Sequence, residues 1–165
     1  LAKELGGSIT LVTHFFSTRE DIFTAVIDDV ASGYEEELAQ LEDGADAESR
    51  LRILLEWLVP LSDEDVAQEA GRIALISQRG SHAGIDHFFE VMESQVRKLL
   101  EDRLAPLLPA DEVESAVDYL RATTNGVVLS SVEHPEVWTR ERRLAVLETA
   151  LRTLVVVSDT VEITS

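Results

Sequence analysis

The chain has no cysteine, only 4 prolines and 8 glycines, and few basic residues among its 165. Without cysteine, disulfides and thiolate metal sites are excluded, and a reducing, cytoplasmic setting is the expectation. Scarce proline and glycine leave room for long helices with short joints, because these two residues disfavour helix most strongly. No stretch approaches the roughly 18 apolar residues that a membrane-spanning helix needs, so no membrane partner is expected. The 14 Lys and Arg stand against 32 Asp and Glu, for a net charge of −18. That balance argues against a general nucleic-acid binder, since phosphate neutralisation needs clustered cations. It fits an acidic solvated surface or a domain that attracts cationic ligands, and the two readings are compatible.

What is present is a globular composition, 45% hydrophobic and 28% charged, with helical periodicity. Leu1 to Gly6 reads as the end of a short helix, broken by Gly6-Gly7, after which Ser8 caps a second short segment, Ile9 to Phe16. Thr18 stands three residues before Asp21, with acids in the first turn of the helix that follows. That long helix is expected from Arg19 to Leu41, on the stripe Ile22, Val26, Val30, Tyr34, Leu38 and Leu41. Glu42-Asp43-Gly44 ends it. Further helices are expected over Ala47–Val59, Ser62–Arg79, Ile85–Leu104, Asp111–Ser131 and Arg140–Val156, separated by Pro60, by the Gly80–Gly84 joint, by Pro106 and Pro109, and by the loop around Pro135. Asp111 and Thr139 are the expected caps of the last two. The stretch from Val155 to Ser165, with Val155-Val156-Val157 and Val161 to Thr164, favours strand by composition but has nothing to pair with, so a helix end followed by a loosely held tail over 157–165 is expected. The chain reads as all-α, with about eight helices and no sheet.

No enzyme signature emerges. There is no glycine-rich phosphate loop, nucleophile elbow or metalloprotease helix pattern. No Glu lies three residues before a His, as a helical-bundle metal site requires. His82 and His87 are five apart around a glycine-containing joint, which is not the i,i+4 spacing of a helical metal pair. Neither a metal nor a cofactor is expected.

The segment from Leu1-Ala2 through Gly6, Ser8, His14-Phe15-Phe16 and Arg19-Glu20 resembles the helix-turn-helix of TetR-type transcriptional regulators. The resemblance implies a TetR-like fold: a partial DNA-reading head over 1–18 (helices 2 and 3), a connecting helix over 19–41, and a ligand-binding and dimerisation domain over 42–156. It implies double-stranded operator DNA as a partner, read by Ser8, Ile9, Thr10, Leu11, Thr13, His14 and Arg19. The physical case is that a recognition helix enters a major groove about 12 Å wide with small or hydrogen-bonding side chains. Arg19, at the start of a helix, can hold a phosphate together with backbone N–H groups. The sequence departs from many members, which have lysine where Ile9 stands, glycine at Thr10 and a phosphate-touching tyrosine at Thr13. A TetR-type head also needs a first helix before Leu1. The expectation is that the chain begins inside a longer protein whose upstream helix is basic.

Farther along, Leu51 to Leu61 (LRILLEWLVPL), Gly126-Val127-Val128-Leu129 and Trp138-Thr139 resemble the C-terminal domain of betaine-regulator-type members. The resemblance implies a homodimer joined by the last two long helices, with Val113, Val117, Leu120, Val127 and Leu129 on the first and Leu144, Leu147 and Leu151 on the second as candidates. The same stripes would also serve an internal core, and periodicity does not separate the two. A small-molecule effector is expected among the middle helices, against Trp57, Phe88, Phe89, Met92 and Tyr119, with Glu56, Gln78, His82 and His87 as polar anchors. Acids beside aromatics suit a cationic ligand, and the aromatics alone an apolar one. The function so implied is a ligand-responsive regulator, a repressor that binds a palindromic operator as a homodimer and is released by a small molecule. The acidic charge leaves open an acidic helical carrier or protein-interaction module with no role on DNA.

Overall fold

The computed structural model describes residues 33–162, with side chains through 154. Its first helical stretch, α1, is 33–41. It ends in a turn where Glu42 N–H donates to the Leu38 carbonyl and Gly44 takes φ +74°. That left-handed conformation is open to glycine and strained for residues with a Cβ. Five helices follow: α2 (Ala47–Trp57), α3 (Asp63–Ile76), α4 (Ala83–Leu104), α5 (Val113–Glu133) and α6 (Arg140–Glu162). No strand occurs among the described residues.

Local chemistry sets the starts of α2 and α3. Asp46 accepts from Ser49 N–H at 2.8 Å, which satisfies one of the orphan donors of the first turn. That hydrogen bond holds the Asp46 carboxyl below its usual pKa. Ser62 and Asp65 form a reciprocal capping box: Asp65 N–H donates to Ser62 Oγ at 3.1 Å, and Ser62 N–H donates to Asp65 Oδ2 at 2.8 Å.

Several expected boundaries move. The α3 helix stops at Ile76 rather than Arg79, and α4 starts at Ala83. Asp111 does not cap α5. Glu112 N–H bonds back to the Pro109 carbonyl in a turn, so Glu112 becomes the N-cap residue, with no side-chain cap. The α6 helix runs on to Glu162, through Val155-Val156-Val157. Extending a formed helix adds a backbone hydrogen bond per residue, whereas a lone strand finds none. The β-branched penalty of a few tenths of a kcal/mol per residue is too small to reverse that.

The core is one cluster. Leu38 from α1, Leu51, Leu54 and Leu55 from α2, Val96, Leu99, Leu100 and Leu104 from α4, Val117, Leu120 and Val127 from α5, and Leu147 and Leu151 from α6 are buried together. The central helix is α5, which packs on α3, α4 and α6, while α2 packs on α4 and α6. Its core-facing positions 117, 120, 124, 127 and 131 step by three and four. Two of these are hydroxyls that bond within their own helix, Thr124 to the Arg121 carbonyl and Ser131 to the Val127 carbonyl.

Ion pairs tie the helices at their rims. Arg52 of α2 bonds Glu148 of α6. Arg97 of α4 bonds Asp118 of α5 at 2.7 Å. Glu42, buried in the turn after α1, is held by Arg103 of α4 through Nε and Nη2, both at 3.0 Å, and by Arg50 of α2 at 3.0 Å. Arg143 of α6 is also buried and donates to the Pro60 carbonyl at 3.0 Å, while its Nε has no hydrogen-bond partner.

Candidate ligand-binding cavities

The well-packed core occupies only the C-terminal half of α4, and no residue of α3 is fully buried. A cavity of about 500 Å³ lies among α1, α2, α3, α4 and α5. This lies in the range of small-molecule sites. One wall is apolar: Tyr34 of α1, Trp57 at the end of α2, Phe88, Met92 and Val96 of α4, and Val128 of α5. Tyr34 and Trp57 meet edge to face, ring centres 5.0 Å apart at 71°.

The other wall is charged. It carries Glu37, Glu56, Asp65 and Glu69, with Arg72 and Arg121. Arg72 is tied to Glu69 at 2.6 Å. Arg121 is held by Glu93 at 2.8 Å and by Asn125 at 2.7 Å. Glu37 and Glu56 form no ion pair among the described residues, so the unpaired charge facing this space is negative. Burial raises the Tyr34 pKa, and Glu37 and Glu69 raise it further. Its phenol therefore stays protonated and able to donate. Burial also acts to raise the Asp65 pKa, but hydrogen bonds from Ser62 and Leu61 and the charge of Arg143 bring it below its ordinary value. Asp65 is thus a fixed carboxylate engaged by its helix start.

A second cavity of about 430 Å³ adjoins the first and shares Arg72, Phe88, Met92, Arg121, Asn125 and Val128 with it. Its remaining lining is Ile73 and Ile76 of α3, Arg79 of the turn after it, Phe89 and Glu93 of α4, and Leu129 of α5. Phe88 and Phe89 pack edge to face at 5.2 Å, and the Arg79 guanidinium lies 5.2 Å from the Phe89 ring centre.

Of the residues expected at a ligand site, Glu56, Trp57, Phe88 and Met92 line the larger cavity, and Phe88, Phe89 and Met92 line the second. Gln78, His82 and Tyr119 line neither of these two cavities. Gln78 falls in the turn beyond the early end of α3. His82 is the exposed, extended N-cap residue of α4 and makes no side-chain cap bond. Tyr119 points outward from α5, between the core-facing Val117 and Leu120. His87 is half-buried on α4 and lines neither space. Tyr34, Glu37, Gln68, Glu69, Arg72 and Arg121 were missed. The i,i+3 pair Glu69–Arg72 was the one local signal available for any of them. Among the described residues no group of three or more His, Cys, Asp or Glu side chains is placed to hold a metal ion. No helix among them is long and apolar enough to cross a membrane.

The candidate dimer residues also separate. Val117, Leu120, Val127, Leu147 and Leu151 are buried by the chain's own helices. Val113 and Leu144 are half-buried, and Leu129 is 46% exposed. The proposed DNA-reading residues Ser8, Ile9, Thr10, Leu11, Thr13, His14 and Arg19 lie outside the described residues.

A family model described as the C-terminal domain of BetI-type transcriptional repressors matches residues 29–156. A crystal structure of a transcriptional regulator from Rhodococcus sp. Rha1 is similar with a TM-score of 0.69 and 22% identity, covering 96% of this chain and 84% of that one. At that identity the likeness is one of fold. No curated protein matches the chain. The all-helical architecture, with its cavities beside the helix that enters from the N-terminal segment, agrees with the family match over more than three quarters of the sequence, and the chain belongs to the TetR family of transcriptional regulators.

Proposed function

We propose that the chain is a ligand-responsive repressor that binds a palindromic operator as a homodimer and is released when a small molecule enters the larger cavity. One observation carries this reading. Tyr34 and Glu37, on the helix expected to lead into the reading head, are themselves part of the cavity wall. An occupant therefore touches the connecting helix directly and can favour one of its positions over another, as a difference in affinity between two states requires. The wall chemistry suits an apolar or cationic effector, with Tyr34 and Trp57 as faces and Glu37 and Glu56 as counter-charges.

DNA contact belongs in this reading to Ser8, Ile9, Thr10, Leu11, Thr13, His14 and Arg19, on a head completed by a helix preceding Leu1. The dimer forms on the outward faces of α5 and α6. There Ala122, Gly126 and Leu129, with Ala145 and Thr149, make an exposed strip without charge. A two-fold protein matches a two-fold site with half-sites one turn apart.

The test is selection of duplexes from a random pool by the full-length protein, followed by titration of the complex with organic cations and apolar aromatics. Enrichment of a palindrome and its release by one of these classes is the expected result. A monomer by sedimentation at micromolar concentration would overturn the reading. Ligand binding with no enriched duplex would favour the acidic carrier module instead.

A further inference from the structure

The second cavity gathers three arginines, each beside a carboxylate partner: Arg72 with Glu69, Arg79 with Asp86 and Arg121 with Glu93. Arg72, Arg79 and Arg121 line it against a single carboxylate, Glu93, whereas the larger cavity sets four carboxylates against two arginines. In a chain of net charge −18, three guanidinium groups around one space run against the overall balance. Their hydrogen-bonding capacity is not used up. Arg79 reaches Asp86 only at 3.8 Å, too long for a hydrogen bond. Arg121 commits Nε and Nη1, and Arg72 commits Nε. A guanidinium has five N–H donors in a planar fork that matches a carboxylate. Apart from Asn125 the remaining lining is apolar, and two of its members, Ile76 and Leu129, are about half exposed.

We propose that this second cavity binds an amphipathic monoanion: a carboxylate on an aliphatic or aromatic body, with its head at the three arginines and its body against Phe88, Phe89 and Leu129. The regulatory meaning of such a site rests on the effector reading above, while the binding itself does not. Calorimetric titration of the full protein with octanoate, octanamide and octyltrimethylammonium tests it. Octanoate should bind about tenfold more tightly than octanamide, the neutral isostere, because only the anion makes charge-assisted hydrogen bonds.

Arg121→Gln and Arg79→Gln should each weaken octanoate about fivefold or more while leaving octanamide within about twofold. Arg79 is half exposed, so its variant keeps the test valid if the loss of the Arg121–Glu93 tie harms folding. Equal affinity for octanamide, tighter binding of the cation, no octanoate binding up to millimolar concentration, or indifference to Arg79→Gln would each overturn the proposal. Octanoate binding that leaves an operator complex intact would preserve the site and remove its link to DNA release. Release by cations with no octanoate binding would do the reverse.

Discussion

Replacing Glu42 by glutamine is expected to cost about 3 kcal/mol of stability, and by alanine about 4. The magnitude follows from where the carboxylate sits. Its side chain is 3% exposed and accepts three hydrogen bonds at 3.0 Å, two from Arg103 and one from Arg50. The Arg103 side chain is itself only 11% exposed, so removing the carboxylate charge leaves a guanidinium out of water without a counter-charge. Breaking a buried pair in this way costs about 3–5 kcal/mol. Glutamine retains one acceptor and belongs at the low end. Arg50 differs, because its side chain is 49% exposed and water compensates it when the bond is lost. Exposed pairs of this kind contribute about 0–1 kcal/mol.

The expected order is therefore Glu42→Ala above Arg103→Met, with Arg50→Ala far below both. The double variant Glu42→Gln/Arg103→Met should cost less than the sum of the singles, since neither partner is then left charged and alone. Urea unfolding followed by tryptophan fluorescence, at one fixed protein concentration to hold any dimer linkage constant, measures all five. A cost under about 1 kcal/mol for Glu42→Gln, an Arg50→Ala cost equal to that of Arg103→Met, or strict additivity in the double variant would refute the reasoning.

Asp65→Asn should lose about 1 kcal/mol through the capping box at the start of α3. Because the folded pKa of Asp65 lies below its ordinary value, that contribution is present above the ordinary carboxylate pKa and is lost as pH falls through the folded one. Melting curves of variant and parent should thus converge as pH falls below the ordinary carboxylate range. Leu129→Arg should leave urea unfolding of the subunit within about 0.5 kcal/mol, since the position is half exposed. It should shift sedimentation toward monomer, and an unchanged dimer would move the interface elsewhere. Gly44→Ala should destabilise by about 1 kcal/mol because of its positive φ, although its Cβ would meet nothing within 4 Å. A neutral result in thermal unfolding would show that the turn can relax.

Most of the fold was legible because its signals are local. Ser62, Pro60, Gly44 and the prolines after α4 act within a turn of their own position, and each marks a boundary that the structure respects to within a few residues. The errors fall where a local signal competes with a neighbour. Asp111 is a good cap residue, but the turn begun at Pro109 places Glu112 at the helix start instead. The valines at 155–157 favour strand, but α6 is already formed and simply continues.

The cavities were only partly legible, for a different physical reason. Periodicity reports that one face of a helix is covered, and it is silent on what covers it. The α5 stripe Val117, Leu120 and Val127 therefore read equally as core and as dimer surface, and only the packing of α2, α4 and α6 against it decides for the core. The opposite face of α5, at 122, 126 and 129, is exposed and has the same period but little hydrophobicity to announce it. Charge behaves likewise. Arg121 is 28 residues from Glu93, and the two arginine-bearing helices that line the second cavity are separated by the whole of α4. A chain of net charge −18 gives no hint that three arginines line one space, because net charge sums over the surface while a cavity responds to the few groups that topology gathers around it.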